Sequence, residues 1–463
     1  VRWRPNDRWD VNLSAGVADG EMELLVQPGI PRSKWDITSS NVHLSANLAA
    51  TDHSSLQIKG YVNNFEYETS LVPTTAQVNA IPLGSPVSTT DGRRFFPSID
   101  GGRQFEGDVE TYDASLQYVS SNFDGKLNWV LGNEFRRIIN RGGLVDDSDK
   151  DITSLFANFT WRFAADYMQA AAGYRVDDDS ITGSDEGWSL SLSVFPADNH
   201  TLRISKRKAF RAPSLFEQFS TINLNVPNQN QRVRFEGNAN LDVEEIESID
   251  ITYSAQLGKK LQVNVEYWWE EYRALVGNPD SGLLDNIELD EQNNIFTTTT
   301  TFRNLSDSDS QGLLVEAKWL PQTDLQVHLN YAFTNPDNAL NGLSGETFFS
   351  PQHIVNVGGR YTWGEFSMDT NLRYEAKTDD DELAQGDITA DGPNFTREFQ
   401  EDYFTLDLKL GYQPRAVDEL EVYLAANNLL DDQRVEYHEF DSSLKGVGEE
   451  FGREIWGGFQ WKF

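Results

Sequence analysis

Oily and wet residues take turns along most of this chain. Leu155, Ala157, Phe159, Trp161 and Phe163 alternate with Asn158, Thr160 and Arg162. Trp188, Leu190, Leu192 and Val194 alternate with serines. The same rhythm runs through Val11–Val17, Val42–Leu48, Leu261–Trp269, Leu325–Phe333 and Phe404–Tyr412. A two-residue period places successive side chains on opposite faces of a strand, so each segment predicts a two-faced β-strand. No stretch holds a 3.6-residue period over three turns. The last segment, GREIWGGFQWKF, puts Ile455, Phe459, Trp461 and Phe463 on one face and Glu454, Trp456, Gln460 and Lys462 on the other. A strand ending on such an aromatic face suits a closed barrel in a membrane, where apolar residues meet lipid and rings gather at the interface.

The connections alternate as well. Short ones are expected near Pro5–Asp7, Thr51–His53, Phe123–Gly125, Ala164–Asp166, Pro196–His200, Gly258–Lys260, Pro321–Asp324, Gly364 and Pro414–Glu419. Long ones are expected at Leu71–Asp108, Arg141–Lys150, Asp179–Gly187, Arg211–Val243, Gly277–Ser308, Pro336–Gln352, Thr378–Glu401 and His438–Phe451. Tight turns on one rim and long loops on the other are the layout of outer-membrane barrels. Between the connections lie about 18 strands and a stub at Val1–Arg4. The expected fold is therefore all-β, a large antiparallel transmembrane β-barrel with 18–19 strands in this chain. If the stub is the fourth strand, the last is about the twenty-second and every short turn falls on one side.

Composition narrows the partners. The 463 residues include 38 Lys+Arg and 73 Asp+Glu, a formal charge of -35. So acidic a chain repels nucleic acid, and that class is set aside. Mean hydropathy is -0.53, and no run approaches the roughly 20 apolar residues of a spanning helix. There are no cysteines, hence no disulfide or thiol chemistry. Six scattered histidines give no metal-binding pair of the HExxH kind, and no cofactor is expected. No secretion signal is visible at Val1, so processing or truncation is expected to have removed a preceding part. No catalytic constellation stands out, and the chain is not expected to be an enzyme.

Several stretches carry a family resemblance. RISKRKAFRAPSLFEQF, Arg203 to Phe219, resembles the mid-barrel motif of TonB-dependent outer-membrane receptors. EGNANLDVEEIESIDITYSAQL from Glu236 and FRNLSDSDSQGLLVEAKW from Phe302 are similar to later segments of that family. PQHIVNVGGRYTW, YFTLDLKLGY, LAANNLLDDQRVEY and the closing strand follow in the family's order. The resemblance implies a 22-stranded barrel around an N-terminal plug, ligand capture by outer loops, and energy delivered through the TonB complex by an N-terminal box. Residues 1–463 then form an incomplete receptor barrel, without the plug, the box and about three first strands. Implied partners are outer-membrane lipid, lipopolysaccharide, the TonB complex and a small-molecule ligand such as a metal–siderophore. Oligosaccharide uptake and a passive porin-like channel stay open.

Candidate ligand residues follow from chemistry. Arg207, Lys208, Arg211, Arg232 and Arg234 cluster around the loop Arg211–Val243, where guanidinium suits carboxylate or catecholate oxygens. Alternatively Arg203, Arg207 and Arg211 brace acidic lumen neighbours or touch lipid phosphate, the reading favoured for Arg203 and Arg207. Arg93, Arg94, Phe95, Phe96 and Arg103 make a basic, aromatic tip in the longest loop, suited to stacking on a flat ligand or to packing the loop itself. Asn228 and Asn230, in the amide-rich NVPNQNQ, suit hydroxyls or a solvated turn. Acidic runs at Asp146–Asp151, Val176–Ser180, Asp285–Gln292 and Thr378–Glu382 read as solvated surface or loose calcium sites.

Overall fold

In the computed structural model, nineteen strands form one antiparallel sheet in which each pairs with its neighbours in sequence. The structure describes residues 1–24, 33–70, 87–88, 94–95, 104–226, 231–277, 286–290, 295–337, 351–380, 387–389, 392–394, 398–400, 402–417, 419–432, 434–435 and 450–461. The sheet strands are β1 (Arg2–Trp3), β2 (Trp9–Leu24), β3 (Ser33–Thr51), β4 (Ser54–Ser70), β5 (Gln104–Asn122), β6 (Leu127–Gly142), β7 (Ser148–Phe163), β8 (Met168–Asp179), β9 (Gly183–Ala197) and β10 (His200–Arg211). They continue as β11 (Glu244–Leu257), β12 (Leu261–Gly277), β13 (Arg303–Gln322), β14 (Leu325–Asp337), β15 (His353–Trp363), β16 (Phe366–Glu375), β17 (Tyr403–Tyr412), β18 (Leu420–Asn427) and β19 (Glu454–Trp461). Among the described residues β1 pairs only with β2 and β19 only with β18.

Register explains why the alternation matters. Leu127, Trp161, Ala170, Leu192, Ile204, Ile251, Tyr267, Leu313 and Phe333 stand opposite one another in turn from β6 to β14. One residue along, the row reads Asn128, Thr160, Ala171, Ser191, Ser205, Asp250, Trp268, Gly312 and Thr334. A one-residue slip would exchange these rows, so the pattern pins the register of each strand. The oily row is uncovered: Leu155 is 58% exposed, whereas Ser154 beside it is 1% exposed. Leu190 and Leu424 are each 55% exposed. Among the described residues, buried apolar side chains are few, Leu144, Val145 and Leu241 near one rim among them. In water so wide an apolar face would aggregate; against acyl chains it is the stable outer surface.

The expected short turns fall where expected, and they share a rim. Two expected long loops are instead tight. β6 and β7 are joined through 143–147, and β8 and β9 through 180–182. Register runs unbroken to Asp178↔Ser184 and Asp179↔Gly183. These strands climb beyond the apolar belt, where water solvates both faces and the oily alternation that marks a strand disappears. β5 likewise begins at Gln104, earlier than expected.

Gly312 shows how the polar face is packed. A Cβ there would lie 2.1 Å from the Trp268 ring. The indole therefore occupies the space a side chain would need at the glycine opposite it, a packing only a residue without a side chain permits.

Candidate ligand platform at the long-loop rim

Sequence periodicity gave no helix, yet a short one sits at the rim. Its five residues, Leu215–Phe219 (α1), are too few to persist alone and are held by a capping box. The Ser214 backbone N–H donates to Glu217 Oε2 at 2.7 Å, and the Glu217 N–H donates to Ser214 Oγ at 3.2 Å. Arg211, the last residue of β10, donates two bonds of 3.0 Å to the same Glu217 carboxylate and a further one to Glu244. Burial pushes the Glu217 carboxyl up, but Arg211 and Ser214 outweigh it and hold the group below its ordinary range.

Around α1, neighbouring connections are fastened together. The Asp146 N–H donates to Phe219 O at 2.9 Å, Val145 bridges Ser220, and Thr221 Oγ1 donates to Asp146 Oδ2 at 3.1 Å. The Leu144 N–H donates to the Tyr67 hydroxyl at 3.1 Å, reaching back to β4. Beneath them Lys150 and Asp179, 5% and 3% exposed, form an ion pair of 2.8 Å. The approach to Asp179 Oδ2 lies off the axis of a hydrogen bond, so charge holds it. Lys150 Nζ also donates to Pro213 O at 3.1 Å, fixing the residue before the helix cap. On the other side Asn304, the Asn of the FRNLSDSDS motif, donates to Asp242 O at 3.0 Å and Ala274 O at 2.6 Å and accepts from the Asp242 N–H at 2.9 Å. Phe216 meets Phe302 edge to face, centroids 5.8 Å apart.

From this lock rises a second, four-stranded sheet made by two different loops. Thr221–Val226 and Gln231–Glu236 come from the β10–β11 connection, and Asn286–Asp290 and Ile295–Thr301 from the β12–β13 connection. The loops join through a parallel pairing of Gln231–Glu236 with Phe296–Thr301. Register gives the sheet two unlike faces. Asn225, Arg232, Thr297 and Glu288 stand in one row, and Asn223, Arg234, Thr299 and Asn286 in the next on the same face. The opposite face carries Leu224, Val233, Thr298 and Ile287, with Ile222 and Phe235 beyond them.

The candidate residues fare differently. Arg211 is engaged by Glu217 and Glu244, the bracing geometry rather than an open donor. Arg207 donates to Ser248 Oγ at 2.6 Å and Asp250 at 2.9 Å, bracing as expected. Arg232 and Arg234 share the polar face of the loop sheet, and Arg234 pairs with Glu236. Arg94 and Phe95 form a two-residue strand opposite Val87 and Ser88. Arg93, Phe96, Arg103, Asn228 and Asn230 lie outside the described residues.

A second feature was missed in the sequence. A cavity of about 570 Å³ opens on the polar face of the C-terminal strands, lined by Gln326, His328, Asn371, Asp407 and Trp456 among others. His328 Nε2 lies 3.3 Å from Asn371 Oδ1. The signal was present: Trp456 is an aromatic on the polar parity of the final strand, followed by two glycines.

Solved structures share this architecture. The siderophore receptor PirA of Acinetobacter baumannii superposes with a TM-score of 0.71 at 12% identity, covering 100% of this chain and 69% of PirA. The ferric enterobactin receptor PfeA of Pseudomonas aeruginosa gives 0.71 at 13% identity, covering 100% and 68%. The iron transporter FrpB of Neisseria meningitidis gives 0.62 at 14%, covering 99% and 70%. At such identities the likeness shows the fold alone. No characterised protein matches in sequence. The family model described as "TonB dependent receptor-like, beta-barrel" matches residues 1–429. With nineteen two-faced strands in sequence order and that match over most of its length, the chain belongs to the TonB-dependent receptor β-barrel family, a family of outer-membrane proteins.

Proposed function

We propose that this chain is the barrel wall of a receptor that takes up a metal–siderophore complex across the outer membrane, energised through the TonB complex. The observation that carries the reading is the long-loop rim. Two separate loops are tied into one sheet above a fastened base, and register gathers the sheet's Asn, Arg, Thr and Glu positions on one of its two faces. A passive channel has no need of a composed surface at its mouth. The neighbours PirA, PfeA and FrpB are a siderophore receptor, a ferric enterobactin receptor and an iron transporter. In this reading the plug and the segment that touches TonB are supplied by sequence other than residues 1–463. The test is uptake of radioactive iron, presented as a panel of ferric siderophores, by cells with and without the gene under iron limitation. Uptake that needs the gene and stops with a proton uncoupler is expected; gene-dependent uptake indifferent to the uncoupler would remove the energised-receptor reading in favour of a pore.

A further inference from the structure

Charge at the long-loop rim sets a condition on the cargo, and this inference rests on the receptor reading above. Guanidinium groups are the usual means of holding a polyanionic ligand. Six of those groups at this rim face carboxylates. Arg136 lies 3.0 Å from Asp113, Arg141 2.7 Å from Asp149, Arg175 2.7 Å from Asp177 and Arg207 2.9 Å from Asp250. Arg211 is held by Glu217 and Glu244, and Arg234 by Glu236.

Carboxylates, by contrast, are in surplus. Asp108, at the rim end of β5, is pushed up by burial and by Glu110 and Glu66 nearby. Asp185, at the rim end of β9, is pushed up by burial and then by Glu245 and Asp179. These are carboxylates crowded by others, the opposite of an anion trap. Asp146, Asp147 and Asp178, from the runs DDSDKD and VDDDS, add to this at the same rim, within a chain of formal charge -35. A mouth of one sign repels ligands of that sign and draws those of the other.

The loop sheet agrees. Register sets Arg232 and Arg234 on one face with Glu236, Glu288 and Asp290, two cations against three carboxylates, and the amide and hydroxyl residues Asn223, Asn225 and Thr297 share that face. Such groups give and accept hydrogen bonds without charge and match amide, hydroxamate or hydroxyl oxygens.

We infer that the receptor selects a neutral or cationic ferric complex, bonded through uncharged oxygens to the polar face of the loop sheet, and excludes the trianionic ferric catecholates. The experiment is titration of purified receptor in detergent, followed by quenching of its tryptophan fluorescence. Three iron(III) probes are used: a trihydroxamate with a pendant ammonium, a neutral trihydroxamate and a tricatecholate of charge -3. Each is measured at low and high salt. Both trihydroxamates are expected to bind at least ten-fold more tightly than the tricatecholate, with added salt narrowing the gap. N223A/N225A is expected to weaken the trihydroxamates ten-fold or more, while R232Q/R234Q does not turn preference toward the anion. Tighter binding of the tricatecholate, lost specifically in R232Q/R234Q, would overturn the charge assignment and leave the receptor reading standing. Binding of none of the three, with no gene-dependent iron uptake, would remove both.

Discussion

Replacing Lys150 by methionine tests whether the rim lock is built as described. Met keeps most of the side-chain volume and removes the charge. Asp179, 3% exposed, would then be a buried carboxylate without its cation, and Pro213 O would lose its donor. Removing one partner of a buried pair costs about 3–5 kcal/mol. The barrel as a whole has no need to unfold to relieve this. Opening the rim suffices, because water can then reach Asp179. The cost should therefore appear as easier local opening, read by hydrogen exchange of the amides that hold α1: Asp146, Gln218 and Ser220. At roughly 1.4 kcal/mol per factor of ten, their exchange should quicken by about a hundred-fold to a few thousand-fold. Amides in the apolar belt, such as those of Leu190 and Leu192, serve as controls and should not change. The pair variant K150M/D179N removes the buried charge and retains an acceptor for the Ile181 N–H, which Asp179 Oδ1 accepts at 2.9 Å. It should recover much of the protection. Unchanged exchange in K150M, or a pair variant no better protected than K150M alone, would show that Lys150 and Asp179 do not hold this rim.

Other perturbations probe the remaining layers. Leu190→Arg places a charge on the lipid face and should cost about 2–4 kcal/mol, whereas Ser191→Arg, on the polar face, should cost far less; refolding yield into vesicles and resistance to heat in detergent distinguish the two. Gly312→Ala should force the Trp268 indole from its seat, at about 1–3 kcal/mol, seen as a shifted tryptophan emission and a lower melting temperature. Because the Glu217 carboxyl sits below its ordinary value when folded, its contribution is complete at neutral pH and is lost as acid protonates it below the usual carboxylate range; exchange at Gln218 and Ser220, corrected for the intrinsic effect of pH, should quicken there, and Glu217→Gln should abolish that dependence. Asn304→Ala removes donors to both Asp242 O and Ala274 O, so amides on both sides, near Asp242 and near Ala274, should lose protection together; loss on one side alone would refute the coupling of the two loops.

What could be read from the sequence tracks what the solvent demands of each residue. Inside the belt, lipid on one face and a polar interior on the other write a two-residue rhythm, and register, strand count and the short-turn rim follow from it. Above the belt that demand lapses. Ser184–Asp185 and Asp177–Asp178 form strand through the ladder of backbone bonds alone, and their side chains carry no periodic mark. The helix Leu215–Phe219 is hidden for a different reason. It depends on Arg211, Glu217, Glu244, Asp146 and Lys150, residues up to 98 positions apart whose meeting is a product of the fold. The arginines show the consequence most clearly. In the sequence Arg211 is a cation within a basic motif and reads as a ligand hook. In the fold the next strand brings Glu244 to face it at the register position Arg211↔Glu244. A charged residue's role is thus fixed by what stands across the ladder, which composition does not reveal. For a receptor whose strands are generic and whose loops are particular, the sequence therefore speaks plainly about where the wall is and obscurely about what the wall holds, and the pairing of each rim cation is the evidence that links the two.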